Sequence, residues 1–138
     1  MYRLSKFVFI TLSLITFSSQ STAVVASNKI DDPCNDLTGH WQGEWNNTYY
    51  NCRWKVDIDA VTYKERAQFV VQMTNGGKGC LEKSSATISG SCIDGQLDLT
   101  LHNVAKMEDY RMTGRVFGKI LTMEDERKWR NVHAYKQS

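Results

Sequence analysis

Apolar and polar side chains alternate with a period of two along most of the chain after residue 36. Over 37–45, apolar or small residues alternate with Thr, His, Gln and Glu. Similar runs follow at 53–60, 68–73 and 86–90. Because successive side chains of a β-strand point to opposite faces, this pattern predicts strands with one buried and one exposed face.

The second part of the chain continues the alternation with tighter turns. Leucines alternate with polar residues over 97–101, directly after Asp94-Gly95, a dipeptide that favours a two-residue hairpin. Further runs at 110–116, 120–123 and 129–136 bring the number of predicted strands to eight.

Eight short strands joined by local turns indicate an all-β fold. An eight-stranded antiparallel up-and-down barrel leaves no exposed sheet edge, and this is the architecture that we predict. A two-sheet β-sandwich is the alternative. The helical element that we expect is a single turn near 105–109.

The first 26 residues have the order of a secretory signal peptide. Two basic residues precede an apolar run at 7–15, and small residues follow up to Ala26. Cleavage is expected after Ala26, with Ala23 as the alternative. Polar residues interrupt the run, which falls short of the ~20 apolar residues of a membrane-spanning helix. We therefore predict a signal peptide at 1–26, a single domain at 27–138, a secreted or periplasmic location and no membrane span.

The charge balance argues against a nucleic-acid partner. The chain has 17 Lys and Arg and 15 Asp and Glu, and two of the basic residues lie in the predicted signal peptide. The remaining domain therefore carries 15 charges of each sign, without a block of basic residues. Because nucleic-acid-binding domains carry a basic patch or stripe, we predict no nucleic-acid partner.

In an up-and-down barrel, successive connections lie at alternate ends. The odd connections are the longer loops and form one end, here called the open rim: 46–51, 75–83, 103–109 and 125–128. The even connections are tight turns and form the other end, here called the closed rim: 62–66, 94–95 and 118–119. Because binding residues on rigid scaffolds concentrate in loops, we place the binding surface at the open rim.

Four cysteines lie in the predicted exported domain, an even number that predicts two disulfides in an oxidising compartment. No two of these cysteines have the short spacing of a zinc ribbon or knuckle. Four cysteines allow three pairings. Cys52 and Cys80 lie toward the open rim, whereas Cys34 and Cys92 lie toward the closed rim. The pairing Cys52–Cys80 with Cys34–Cys92 keeps each bridge at one end, and we expect it.

Aromatic and basic side chains on the open-rim loops are the candidate partner-binding residues: Tyr49, Tyr50, Lys78, Lys83 and Lys128. Exposed tyrosines are enriched at protein interfaces, where they act as anchors. The first functional hypothesis is a secreted, non-catalytic binding protein. Its expected partner is another protein, such as a host factor or a hydrolase that it inhibits.

Large side chains expected to face the barrel interior include Trp45, Trp54, Met73 and Met112. An eight-stranded barrel is just wide enough to be filled by side chains or to hold one small ligand. The number of large inward residues favours a filled interior. Carriage of a small apolar ligand in the interior is the alternative function.

The sequence contains no nucleophile-elbow, zinc-protease, phosphate-loop or dinucleotide motif, so no catalytic residue, metal or cofactor is predicted. His40 and Glu44 share the outer face of the first strand, near Asp57 and Asp59 of the second. Such a group can support acid–base chemistry, but it is more typical of a solvated sheet face. An enzyme with an unrecognised site is therefore the third hypothesis.

His133, in the last predicted strand, has two orientations open to it. If Trp129 faces the interior, His133 does so as well and could ligate haem or a metal. In the opposite register, Val132 and Ala134 face the interior and His133 faces solvent.

The tripeptide Gly39-His40-Trp41 at the start of the first strand resembles the beginning of calycin-type barrels. This class includes lipocalins, avidins and small periplasmic inhibitors of serralysin-type metalloproteases. The resemblance implies that Trp41 plugs the closed end of the barrel. It also implies that a basic residue of the last strand, here Lys136, packs across that ring.

Overall fold

The computed structural model describes residues 32–103 and 108–138. A short 3-10 helix at Pro33–Asp36 precedes the strands. The strands are β1 Gly39–Asn47, β2 Cys52–Tyr63, β3 Arg66–Thr74, β4 Lys83–Ile93, β5 Gln96–Asn103, β6 Glu108–Phe117, β7 Ile120–Asp125 and β8 Arg130–Lys136. Within these residues, no helix combines the length and the apolar character needed to cross a membrane.

Each strand pairs antiparallel with the next along the chain, and β8 pairs with β1, so that the sheet closes on itself. The prediction of an all-β, eight-stranded up-and-down barrel is confirmed, and the β-sandwich alternative is wrong. The helical turn expected near 105–109 lies partly outside the described residues, and Asp109 belongs to β6. The last strand begins at Arg130, one residue later than the alternation predicts.

The period of two in the sequence appears in the structure as alternating burial. In β3, the side chains of Ala67, Phe69, Val71 and Met73 are buried, whereas the residues between them are exposed. The inward side chains of the eight strands meet in one core, which also contains Leu37. Because each large apolar side chain contributes about 1.5–3 kcal/mol on burial, these inward faces hold the barrel together.

Two inward-facing glycines allow neighbouring strands to approach closely. A Cβ atom at Gly43 of β1 would overlap the carbonyl oxygen of His133 on β8. A Cβ atom at Gly90 of β4 would overlap the carbonyl oxygen of Asp98 on β5. Glycine at such points lets a strand bend, and a small barrel needs these bends to close.

Trp41 fills the closed end of the barrel. Its ring is fully buried, and its indole Nε1 donates a hydrogen bond to the carbonyl oxygen of Leu37 at 2.9 Å. The Lys136 ammonium lies 5.8 Å from the centre of that ring and donates to the carbonyl oxygen of Asp36. The lysine therefore holds the 3-10 helix over the end of the barrel while it covers the tryptophan.

The turns of the closed rim are fixed to one another. In each turn, a backbone carbonyl oxygen accepts a hydrogen bond from an amide of β4, β6 or β8. The bonds are Cys92 N to Glu65 O at 2.8 Å, Val116 N to Gly95 O at 2.9 Å and Lys136 N to Lys119 O at 3.0 Å. The predicted Asp94-Gly95 hairpin has positive φ at both residues, 52° and 77°. The Cys34–Cys92 disulfide attaches the 3-10 helix to the same end.

Candidate functional site at the open rim

The Cys52–Cys80 disulfide joins the start of β2 to the loop between β3 and β4 at the open rim. Both predicted disulfide pairs are thus confirmed, and none of the four cysteines is free. Two such bridges are consistent with an extracellular or otherwise oxidising location. One bridge stabilises each end of the barrel.

Aromatic side chains from two different loops meet at the open rim. The rings of Tyr49 and Tyr50 are edge to face, with centroids 4.8 Å apart. Tyr49 also lies 4.8 Å from the ring of Trp129, at an interplanar angle of 31°. The Arg127 guanidinium lies 4.9 Å from the centre of the Trp129 ring. We call these four residues the open-rim cluster.

The open-rim cluster is largely accessible to solvent. Tyr49 is 62% exposed and Tyr50 is 56% exposed, and Trp129 is half-buried beside them. Exposed aromatic groups are common singly, but here Tyr49 contacts both Tyr50 and Trp129, and the three rings make a continuous apolar surface. This surface is the chemical feature that distinguishes the open rim.

Hydrogen bonds fix the two loops that carry the cluster. The Thr48 amide donates to the carbonyl oxygen of Trp129 at 2.8 Å, which links the β1–β2 turn to the β7–β8 loop. The buried Asn47 accepts from the Tyr50 amide through its Oδ1 at 3.2 Å. The tyrosines are therefore held on a turn whose backbone is bonded on both sides.

Asp125, at the end of β7, organises the loop that carries Arg127 and Trp129. Its carboxylate is 4% exposed, and its Oδ1 accepts from the amides of Trp129 at 2.8 Å and Arg130 at 3.3 Å. Its Oδ2 accepts from the Arg130 guanidinium at 2.9 Å. That guanidinium also lies 4.1 Å from the centre of the Tyr110 ring. A buried ion pair thus sets the direction of the loop.

The structure brings together some of the residues predicted to bind a partner. Tyr49 and Tyr50 are in contact, and Lys128 lies in the same loop as Trp129, with a positive φ of 57°. Lys78 is on the β3–β4 loop, and Lys83 begins β4. The three lysines are exposed and have no ion-pair partner among the described residues.

Two members of the cluster were not predicted. Trp129 was assigned to the last strand, and Arg127 was not singled out. The pattern of alternation cannot show that Trp129 precedes the strand, because its position depends on the hydrogen bonds to Asp125. The charged run 125–128 is predicted as an open-rim loop, and the tryptophan directly after it is the signal that could have extended that loop to Trp129.

The basic charges of this rim are less compensated than the acidic ones. Asp125 is paired with Arg130, and Glu126 lies 3.6 Å from Arg111. Arg127 and the three candidate lysines form no ion pair within the described part of the chain, against two acidic side chains without one, Glu82 on the β3–β4 loop and Glu124 near the end of β7. Among the described side chains of the open rim, unpaired basic groups therefore outnumber unpaired acidic ones.

Three of the four predicted interior residues are buried. Trp45, Met73 and Met112 belong to the core. Trp54 is half-buried at the rim, where its indole Nε1 donates to the carbonyl oxygen of Leu81 at 2.8 Å. Its ring therefore supports the β3–β4 loop from the edge of the barrel.

The register of β8 decides the orientation of His133. Val132 and Ala134 are buried in the core, whereas His133 is exposed on the outer face. The orientation that would have allowed interior haem or metal ligation is therefore wrong. His133 instead borders an outer depression of about 930 Å³, whose lining includes Arg111 and Asp98.

The His40 group also lies on the outer face. His40 Nδ1 is 3.0 Å from an Asp59 oxygen, and its Nε2 is 3.3 Å from an Asp57 oxygen. The hydrogen bond to Asp59 raises the pKa of His40 above 6.5, with further contributions from both carboxylate charges. Glu44 lies in the same strand but faces His133 across β1 and β8. The group is a solvated set of cross-strand pairs, and it is not enclosed by a cleft.

Comparison of the chain with protein-family models, with curated proteins and with solved structures finds no match. The class of the molecule therefore follows from its own strand pairing. It is a closed, eight-stranded antiparallel β-barrel with one disulfide at each end and an exposed aromatic and basic surface at one of them.

Proposed function

We propose that this protein is an exported, non-catalytic binding protein that recognises another protein through its open rim. The observation that carries the proposal is the open-rim cluster, in which Tyr49, Tyr50 and Trp129 are in contact beside Arg127. Tyr, Trp and Arg are the residue types that contribute most of the binding energy at protein interfaces.

The rigidity of the two loops supports the same function. Association costs free energy when loops and side chains must be ordered. Here the Asp125 network and the bond from Thr48 to Trp129 order the loops before any partner arrives. The Cys52–Cys80 bridge restrains the adjoining loop. Little of the binding energy is therefore lost to ordering the backbone.

The uncompensated basic side chains indicate the chemistry of the partner surface. Arg127 lies against the Trp129 ring, Lys128 is in the same loop, and Lys78 and Lys83 lie on or beside the β3–β4 loop. Electrostatic complementarity speeds association with a surface of opposite sign. The partner that fits is a protein with an acidic surface next to an apolar anchor point, as in a host factor or a hydrolase that this protein inhibits.

We infer further that the barrel is of the calycin type, like the lipocalins and the small metalloprotease inhibitors. Gly39 and Trp41 at the start of β1 support this inference, together with Lys136 over the Trp41 ring. The predicted signal peptide at 1–26 completes the proposal, because it accounts for an exported protein with two disulfides.

The exported protein, immobilised and exposed to the fluid that surrounds its cells, should retain a specific partner that mass spectrometry identifies. With that partner purified, Tyr49→Ala combined with Tyr50→Ala should weaken binding at least tenfold. The free energy of unfolding should change by no more than about 1–2 kcal/mol, because both rings are exposed.

Tyr63 supplies a matched control, because it is a tyrosine at the closed rim with 72% exposure. Tyr63→Ala should leave the affinity for the partner unchanged. If Tyr63→Ala abolished binding while the Tyr49 and Tyr50 double variant bound fully, the binding surface would lie at the closed rim and the proposal would be wrong.

A further inference from the structure

The outer face of the barrel is concave between β4 and β8, where the depression of about 930 Å³ beside His133 lies. We call this concavity the outer depression. Gly114 of β6 is part of its lining, and a Cβ atom at this glycine would overlap the carbonyl oxygen of Thr122 on β7. The two strands therefore approach closely, which lets the sheet bend here. The volume is in the range of ligand pockets, about 300–1,000 Å³.

Two rows of polar side chains cross the outer depression. The register of β6, β7 and β8 places one residue of each strand in each row. Cross-strand neighbours have Cβ atoms about 4.5–5.5 Å apart, so the polar atoms of a row can reach one ligand together. The first row is Arg115–Thr122–His133, and the second row, nearer the open rim, is Thr113–Glu124–Asn131.

A relay of hydrogen bonds fixes the orientation of the Asn131 amide. Arg53 can only donate, and its Nε donates to Asn46 Oδ1 at 2.9 Å. The Asn46 Nδ2 group therefore faces Asn131 and donates to its Oδ1 at 3.1 Å. Because Asn131 Oδ1 is turned toward β1, its Nδ2 group is turned toward β7. The outer depression thus has a hydrogen-bond donor that is oriented before any ligand binds.

The charges of the outer depression nearly cancel. Its lining contains two guanidinium groups and three carboxylates: Arg111, Arg115, Asp94, Asp98 and Glu124. Arg111 donates to both carboxylate oxygens of Asp98, at 3.1 and 3.2 Å. Arg115 and Glu124 form no ion pair within the described part of the chain. Since the first row holds an unpaired cation and the second an unpaired anion, the depression favours a neutral ligand that both donates and accepts hydrogen bonds.

Exposed apolar side chains border the outer depression on the side of the closed rim. Each member of the first row has such a neighbour on the same face of its strand, about 7 Å closer to the closed rim: Phe117 on β6, Ile120 on β7 and Tyr135 on β8. The aromatic side chains are 79% exposed in Phe117 and 56% exposed in Tyr135. Polar rows and accessible aromatic rings therefore lie side by side on one surface.

We propose that the outer depression binds a neutral carbohydrate, as a chain of sugar rings. A pyranose ring has hydroxyl groups around its edge and C–H groups on its faces. Arg115 and Glu124 each offer two neighbouring polar atoms, which match two adjacent hydroxyl groups of a sugar. The rings of Phe117 and Tyr135 offer apolar surface to its C–H faces. None of the lining residues belongs to the open-rim cluster, so this function adds to the one proposed above.

NMR titration of the isotope-labelled exported protein with neutral hexasaccharides tests the proposal. The probes are cellohexaose, maltohexaose, mannohexaose and chitohexaose. At least one should bind with a dissociation constant of about 0.1–1 mM, as expected for an open site. Its addition should shift the signals of the Asn131 side-chain amide and of the Thr122 and His133 backbone amides. A hexasaccharide of galacturonic acid is the anionic comparison, and it should bind at least tenfold more weakly.

Two conservative substitutions identify the groups that bind. Asn131→Asp keeps an acceptor for Asn46 and removes the donor that faces the depression, and Thr122→Val keeps the shape and removes the hydroxyl. Each should raise the dissociation constant at least fivefold. Thr87→Val is the matched control, because Thr87 is a half-buried threonine on the outer face of β4 and outside the lining. It should bind the hexasaccharide as the original protein does, and circular dichroism should show that all three variants keep the fold.

The proposal would be overturned if none of the four neutral probes bound at about 5 mM. Tighter binding of the anionic probe would overturn it as well, and so would a loss of affinity in Thr87→Val equal to that in Thr122→Val. No protein partner takes part in these measurements, so their failure leaves the function proposed for the open rim unaffected.

Discussion

Replacing Asp125 by alanine removes the carboxylate that organises the β7–β8 loop. The carboxylate is 4% exposed and accepts three hydrogen bonds, from the amides of Trp129 and Arg130 and from the Arg130 guanidinium. Removal of one partner from a buried ion pair costs about 3–5 kcal/mol. The Arg130 side chain is 14% exposed, so some water reaches the charge that is left behind. We therefore expect a loss of about 3–4 kcal/mol of unfolding free energy.

Urea unfolding followed by circular dichroism measures this loss directly. In a domain of this size, it corresponds to a decrease of at least about 10 °C in the melting temperature. The contacts of Trp129 with Tyr49 and with Arg127 depend on the same loop, so partner binding through the open-rim cluster should weaken as well. Asp125→Asn keeps an oxygen that can accept the two amides, and it should cost less than the alanine substitution.

Glu126→Ala is the matched control, since Glu126 is the next residue, is exposed, and lies 3.6 Å from Arg111. An exposed ion pair contributes about 0–1 kcal/mol, so this change should leave stability nearly intact. The reasoning about the buried pair would be refuted if the two substitutions lowered the free energy of unfolding equally. It would also be refuted if Asp125→Ala lowered it by less than about 1 kcal/mol.

Three other measurements test the barrel itself. Trp41→Ala should lower the free energy of unfolding by about 3–5 kcal/mol in urea, because it empties the closed end of the barrel. A variant as stable as the original would show that Trp41 does not belong to the core. Peptide mapping should find Cys52 linked to Cys80, and replacing both by serine should cost about 3–4 kcal/mol for a separation of 28 residues. Because the carboxylate of Asp59 raises the pKa of His40 in the folded protein, the stabilisation from this pair is complete below about pH 6.5. It should disappear as the pH rises through the raised pKa, and melting curves of His40→Gln should lack that pH-dependent step.

Alternation in the sequence was sufficient to predict the barrel, because the inward faces of the strands repeat every second residue. The inward positions of Phe69 and Met112 follow from that period alone. The pairing of Cys52 with Cys80 follows from the alternation of connections between two ends. Each of these features follows from the order of strands along the chain, and none of them requires knowledge of distances between side chains.

The candidate surfaces depend on contacts between side chains, and the sequence does not contain these. Trp129 joins Tyr49 because Asp125 bonds to its amide and because the Thr48 amide bonds to its carbonyl. Phe117, Ile120 and Tyr135 lie side by side on the outer face because the register of β6, β7 and β8 pairs Phe117 with Ile120 and Ile120 with Tyr135. A shift of one residue in any of these strands would turn one of these side chains inward.

The separation of the core from the open-rim cluster has a consequence for the way this protein can change. Inward side chains hold the barrel, and the open-rim loops carry the aromatic cluster. Substitutions at Tyr49 are therefore expected to alter binding to the proposed partner while the free energy of unfolding changes little. Asp125 is different, because it is buried and also directs the loop that carries Trp129. At this position we expect stability and the proposed recognition to be coupled, so a change that weakens the loop should affect both.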